Sequence, residues 1–213
     1  MQNKFSNEEI RKKFQSIAPK YDFFESPMEY LLLRGLRKKI ISKARGRVLE
    51  AGVGTGKNLK YYSSECKITA IDYSPEMVEI AKQKAADLKR QVDFQIMNAQ
   101  KLKFAERKFD TIVDSLCLCT YPDPIKALKE MKRVCKKNGK ILLLEHGISS
   151  NALIRKMQAL RKEKHYEAFA CNLMRNPEEL VKKAGLEIAN VERKFFGIFY
   201  LIEARPKGYL KFI

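Results

Sequence analysis

The residue types and spacing that could do chemistry meet in one short string, Val48-Leu49-Glu50-Ala51-Gly52-Val53-Gly54-Thr55-Gly56. Glycines in such a loop adopt backbone conformations closed to other residues and let a ligand come close. A pyrophosphate site would space them GxGxxG, with the phosphates on a helix N-terminus. Here the third glycine, Gly56, comes one place early, and Lys57 follows it. Glu50 stands two places before the first glycine; a carboxylate there would repel a pyrophosphate and suit a cation. Asp72 lies 20 residues after Gly52, at the end of the next apolar run. An acidic side chain at that point can accept hydrogen bonds from both ribose hydroxyls.

A ribose ligand that carries positive charge and no phosphates matches S-adenosylmethionine. The elements that must position these residues alternate in period. RVLEAG, KITAID, VDFQIM, FDTIVDSL and KILLLEH read as five strands, and their unbroken apolar character fits a sheet covered on both faces. Helices are expected after the glycine loop, over 75–89 and over 123–136, the last ending at the Asn138-Gly139 turn signal. Alternation of this kind predicts an α/β fold with a doubly wound parallel sheet. Residues 147–213 add a basic helix over 151–164, a helix over 176–184 ending at Gly185, and two strands near 187–194 and 197–205. The expected whole is a seven-stranded, mostly parallel sheet.

Residues 1–45 read as a helical lid and acceptor segment, and 46–213 as the cofactor-binding domain. Ser6 and Glu9 form a capping-box pattern. Ile10, Phe14, Ile17 and Tyr21 follow at helical spacing. Pro19 is expected to end or kink that helix, and a second helix is expected over 27–44.

With these motifs quoted, residues 46–146 resemble the core of class I S-adenosylmethionine-dependent methyltransferases, a Rossmann-like fold. The resemblance implies that Glu50, Gly52, Gly54 and Gly56 hold the methionine part, with Asn58 beside them. It implies that Asp72 holds the ribose, with Tyr73 adjacent and Met77 packing near the adenine. The family's Asp-Ala pair after the third strand is replaced by Asn98-Ala99, which keeps an acceptor and loses the charge. Ser115 completes the expected cofactor set. The motif Phe14 through Ile17-Ala18-Pro19-Lys20-Tyr21-Asp22 is similar to quinone-biosynthesis C-methyltransferases. The stretch from Cys171-Asn172-Leu173 to Phe196-Gly197-Ile198-Phe199, with Glu145-His146, looks more like bacterial phosphatidylethanolamine N-methyltransferases and animal membrane-bound alkyl-thiol methyltransferases.

Methyl transfer from a sulfonium asks mainly that the acceptor lone pair be held behind the methyl carbon; a base is needed only where the acceptor must lose a proton. Tyr21, Tyr121 and His146 are the candidates at the active edge. The formal net charge is +18, and 13 of the 18 excess positive charges lie in residues 1–47 and 151–213. Such flanks attract phosphates of anionic lipid or nucleic acid, and basic helices with an apolar face resemble interfacial anchors. A phospholipid headgroup amine is therefore the first acceptor, a quinone-ring carbon the second and a thiol the third. RNA methylation is a distinct alternative, set back by the absence of a recognisable RNA-binding module, and a non-catalytic cofactor sensor is another. The five cysteines contain no CxxC pair, so neither disulfides nor a zinc ribbon is expected, and Cys117 and Cys119 read as small core residues of a buried strand. No metal is expected. The N-terminal residues lack a secretory pattern and no run is long enough to span a bilayer. A cytoplasmic location is expected, with the inner membrane surface as the site of peripheral contact.

Overall fold

The computed structural model describes residues 4–207, the side chains of residues 19–28 excepted. The candidate Tyr21 therefore lies outside the described side chains. The sheet has seven strands in the order β3-β2-β1-β4-β5-β7-β6. They are β1 (Arg47–Ala51), β2 (Lys67–Asp72), β3 (Val92–Ile96), β4 (Phe109–Ser115), β5 (Cys135–His146), β6 (Leu186–Lys194) and β7 (Phe199–Pro206). β1 to β5 pair in parallel, and β7 runs antiparallel between β5 and β6.

Adjacent residues of the central strands feed opposite core layers, which is why these strands are apolar without alternation. Leu49, Ile112, Ile141 and Leu143 pack on one face against Ala127, Leu128 and Met131 of α4 (Pro124–Val134) and Val181 of α6 (Pro177–Lys183). Val48, Val113, Leu142 and Leu144 pack on the other against Leu36, Ile40 and Ile41 of α2 (Arg34–Ile41) and Ala81 and Ala85 of α3 (Pro75–Asp87). Ser74, Asp123 and Asn176 cap α3, α4 and α6, each followed by proline at the first helical position, where the missing N–H leaves no bond unmade.

Four local expectations are corrected. The capping box forms, with the Ser6 N–H and hydroxyl both donating to Glu9 Oε2 at 2.8 Å, but α1 (Asn7–Met28) does not end at Pro19. It passes into a five-residue π-helix, Glu29–Leu33, and then α2, so there is no second helix starting at residue 27. After the glycine loop the chain makes only a 3-10 turn, Leu59–Tyr61. β5 begins at Cys135, and Asn138-Gly139 forms an irregularity inside it rather than a turn before it. Finally, β4 ends at Ser115 and Leu116 takes φ 60°, so Cys117 and Cys119 lie in a turn and not on a strand.

α5 (Ala152–Phe169) follows β5 and ends at Ala170 in a left-handed conformation. Its C-terminal half meets the start of α1, where Phe5 stacks on Tyr166 at 5.2 Å and Lys4 pairs with Glu167. The segment after α5 returns to the end of β5, where the Ile148 N–H donates to the Arg175 carbonyl at 2.9 Å. A Cβ on Gly147 would collide with that carbonyl and with the Pro177 ring. Gly147→Ala is expected to lower stability by about 1–3 kcal/mol, as overpacking does. That should appear as a melting-temperature drop of roughly 2–4 °C per kcal/mol for a chain of this size; an unchanged melting temperature would show that the segment yields freely.

Candidate functional site

The carboxyl ends of β1, β2 and β4 open onto a cleft, the kind of concavity in which small ligands bind. The glycine loop forms one wall, and Asn7, Ile10, Arg11 and Phe14 of α1 form the cover. Gly52, Gly54, Asn58, Asp72, Tyr73, Met77, Asn98, Ala99, Ser115 and Tyr121 all line it. These positions are far apart in sequence; the strand order brings them to one edge. Glu50, Gly56 and His146 do not line it. Gly52, Gly54 and Gly56 all have positive φ, the condition that favours glycine. A Cβ on Gly52 would also strike Cys117 Sγ and approach the Tyr121 hydroxyl at 3.2 Å.

Asp72 is held from below by two backbone donors, Gly54 N–H at 2.8 Å and Ser74 N–H at 2.9 Å, one to each oxygen. Each oxygen keeps a further lone pair for a donor in the cleft. Burial raises this carboxyl's pKa, and the two N–H bonds oppose the rise. Such a pair of acceptors fits two ribose hydroxyls and excludes a phosphate. Met77 is buried, its N–H bonded to the cap residue Ser74. Asn98 Oδ1 accepts the Gln100 N–H at 2.8 Å, so it shapes the loop as well as lining the cleft. Gln100 in turn reaches Asn7 Oδ1 and accepts the Asp123 N–H, coupling α1 to the cleft floor.

Glu50 acts from beneath the loop. Its carboxylate accepts Asn58 Nδ2 at 2.8 Å and the Tyr62 hydroxyl at 3.0 Å. Asn58 Oδ1 accepts from Arg37, and Arg37 bonds both oxygens of Glu29. Asn58 also donates to Ser115. Sequence reasoning missed Arg37: it reads as one more base on a solvated face, yet it is 5% exposed. Missed too were Asp114 and Glu145, fully buried at the ends of β4 and β5. Their placement on apolar strands was the available signal, since a carboxylate is rarely buried without a purpose. Asp114 Oδ1 accepts the Tyr121 hydroxyl at 3.3 Å, and Glu145 Oε1 accepts the Cys117 N–H at 3.2 Å. Asp114 Oδ2 and Glu145 Oε2 have no hydrogen-bond partner.

Burial pushes Glu50 up to about 7, against the bonds from Asn58 and Tyr62. It pushes Asp114 up to about 7 as well, and Glu145 well above the carboxylate range. Tyr121 is driven upward by the same burial and by Asp114, so its phenol stays protonated at neutral pH and donates. The floor of the cleft is thus a set of buried acids that a bound cation would stabilise in their charged forms. His146 faces elsewhere: its Nε2 lies 3.2 Å from Cys171 Sγ.

For Glu50 the folded-state pKa is raised above the unfolded one, so its contribution to stability is whole below about 4.5 and is lost as pH rises through about 7. The full loss is on the order of 3 kcal/mol. Denaturant melts between pH 4.5 and 7.5 should show the apoprotein weakening, and Glu50→Gln should reduce that slope. An identical slope in the variant would mean that Glu50 is already ionised in the folded protein.

The sequence matches the family described as "Methyltransferase domain" over residues 49–143. The mitochondrial methyltransferase OMS1 of Saccharomyces cerevisiae is 32% identical over 93% of this chain and 46% of the yeast protein. A phosphatidylethanolamine N-methyltransferase of Cereibacter sphaeroides is 39% identical over 47% of this chain and 51% of its own length. The chain therefore spans about half the length of these relatives. A demethylmenaquinone methyltransferase of Staphylococcus aureus is 30% identical over 74% of this chain and 68% of its own. Among solved structures, a methyltransferase of Thermotoga maritima, described as a possible histamine N-methyltransferase, superposes with a TM-score of 0.68. It is 21% identical and covers 93% of this chain and 100% of its own. The seven-stranded, mostly parallel sheet with its flanking helices agrees with those matches: the chain belongs to the class I S-adenosylmethionine-dependent methyltransferases.

Proposed function

We propose that the enzyme carries the methyl group to a small amphiphilic acceptor drawn from an anionic lipid surface, a phospholipid headgroup amine first among the classes. The observation that carries this is the outer face of α5. Leu153 is 70% exposed, Met157 47% and Leu160 76%. They fall at i, i+4 and i+7, one stripe of the helix, with the exposed Lys156, Arg161 and Lys164 along it. Phe196, 68% exposed, adjoins the start of the same helix, where its carbonyl accepts from Ser149 and Ser150. Apolar stripe and flanking cations are the makings of an interfacial helix, and α5 leaves directly from the ligand edge of the sheet. The Cereibacter relative's name supports an amine acceptor. Among the described residues no helix is long and apolar enough to cross a membrane.

In this reading residues 1–45 are the lid and 46–213 the cofactor-binding body. Gly52 and Gly54 pass the methionine part, Asp72 takes the ribose hydroxyls, and Met77, Asn98 and Ala99 border the adenine. S-adenosylmethionine supplies an already activated methyl, so the protein's work is to hold the acceptor in line and exclude water. A headgroup ammonium must shed one proton before its nitrogen lone pair can attack. Tyr121 lines the cleft and Asp114 lies behind it. The phenol oxygen accepts the proton as its own proton passes to Asp114, whose affinity for protons near neutrality suits the exchange. Tyr21 keeps its proposed place in the lid.

Two measurements follow. Asp72→Ala should weaken S-adenosylmethionine binding in calorimetry, each lost bond to a charged acceptor being worth roughly 1.5–3 kcal/mol; unaltered affinity would remove the ribose assignment. Methyl-labelled S-adenosylmethionine, offered with vesicles of anionic lipid and phosphatidylethanolamine, should label the headgroup fraction. Leu160→Glu should reduce that labelling and vesicle binding together while leaving cofactor affinity alone. Label confined to quinone, thiol or RNA added in parallel would replace the acceptor, and no label in any fraction would favour a cofactor sensor.

A further inference from the structure

Three metal-ligating side chains converge at the open end of β5. Cys119 comes from the turn after β4, His146 from the last position of β5, and Cys171 from the segment after α5. Their ligand atoms all lie within 4.8 Å of one another. The two thiols are buried and the imidazole is partly so. Nothing in the local sequence announces the group, because the three positions are separated by 27 and 25 residues and share no CxxC spacing.

The geometry points to a tetrahedral zinc-class site formed by Cys119, His146 and Cys171, with its fourth position left to an exogenous donor. Ligand atoms around tetrahedral zinc stand about 3.5–3.8 Å apart, given zinc–sulfur and zinc–nitrogen bonds of about 2.3 and 2.0–2.1 Å. The three ligand atoms, within 4.8 Å of one another, must draw closer together to reach that spacing. On binding, each thiol releases its proton to solvent and gives a thiolate lone pair to the metal, while the neutral imidazole gives its Nε2 lone pair. Two thiolates cancel the dication and no electron is transferred. Arg175 donates to the Leu118 carbonyl, in the same turn as Cys119.

The role assigned is positional. Cys117, Thr120 and Tyr121 of the same turn line the cofactor cleft, and the Asn172 N–H bonds the Cys119 carbonyl at 3.0 Å. A metal here would pin that turn to β5 and to the return of α5. The site does not depend on the acceptor class proposed above, so either can fail alone.

The test is cobalt(II) titration of the reduced, metal-free full chain, followed by zinc competition and metal analysis. One equivalent of cobalt should give the intense visible bands of a tetrahedral thiolate site and a near-ultraviolet sulfur-to-metal band, both abolished by zinc. Cys171→Ser and His146→Gln should each weaken uptake more than about tenfold. Cys66→Ser, whose thiol points to the Ala44 carbonyl on the opposite side, should leave it unchanged. Absence of a thiolate band in the wild-type chain would overturn the site. So would equal uptake by Cys171→Ser, or air oxidation to a Cys119–Cys171 disulfide by a chain that takes up no metal when reduced.

Discussion

The cleft depends on one buried polar chain, Glu29–Arg37–Asn58–Glu50–Tyr62. A guanidinium 5% exposed would be costly unpaired. Here it is satisfied at both ends, by a carboxylate of the π-helix and by the amide of Asn58. That same amide reaches Glu50 under the glycine loop and Ser115 at the end of β4. The loop's floor, the entry to α2 and the end of β4 are thereby fixed against one another. A π-turn changes which residues face inward, and here Glu29 lies within it while reaching Arg37 eight positions later. The helical N-terminal segment is thus part of the site's foundation and not an appendage.

Charge is arranged in opposition. The outside of the molecule is strongly basic, while the floor of the cleft holds Glu50, Asp72, Asp114 and Glu145, all buried or lining it. Each of the four has its pKa raised by burial. A cationic sulfonium meets buried acids whose charged forms it would stabilise. Catalysis by proximity asks for this: the leaving group becomes neutral, so stabilisation must come from holding partners in line more than from countering new charge.

Three returns of the chain meet at the carboxyl edge of the sheet beside the cleft. The turn after β4 presents Tyr121, the end of β5 presents His146, and the segment after α5 returns Cys171 to it. α5 itself carries the exposed Leu153–Met157–Leu160 stripe outward from that edge. In the proposed reading the cofactor cleft and the lipid-facing stripe are neighbouring parts of one connection.

Period and spacing alone disclosed the strands, the capping residues and the glycine–Asp72 pair, because those follow from local apolar pattern and from fixed distances along one βαβ unit. The family resemblance, and not period or spacing, pointed to Asn58, Met77 and Asn98, which line the cleft beside Gly52 and Gly54. Period and spacing misjudged the passage of α1 through Pro19 and the turn that removes Cys117 and Cys119 from β4, where a left-handed Leu116 overrules local propensity. Only the tertiary structure decided that Arg37 is buried, that Asp114 and Glu145 stand behind the cleft, that His146 turns to Cys171, and that three distant residues share a few ångströms. Each of these depends on which strand lies beside which, and a contact between strands is not written in the neighbours of either.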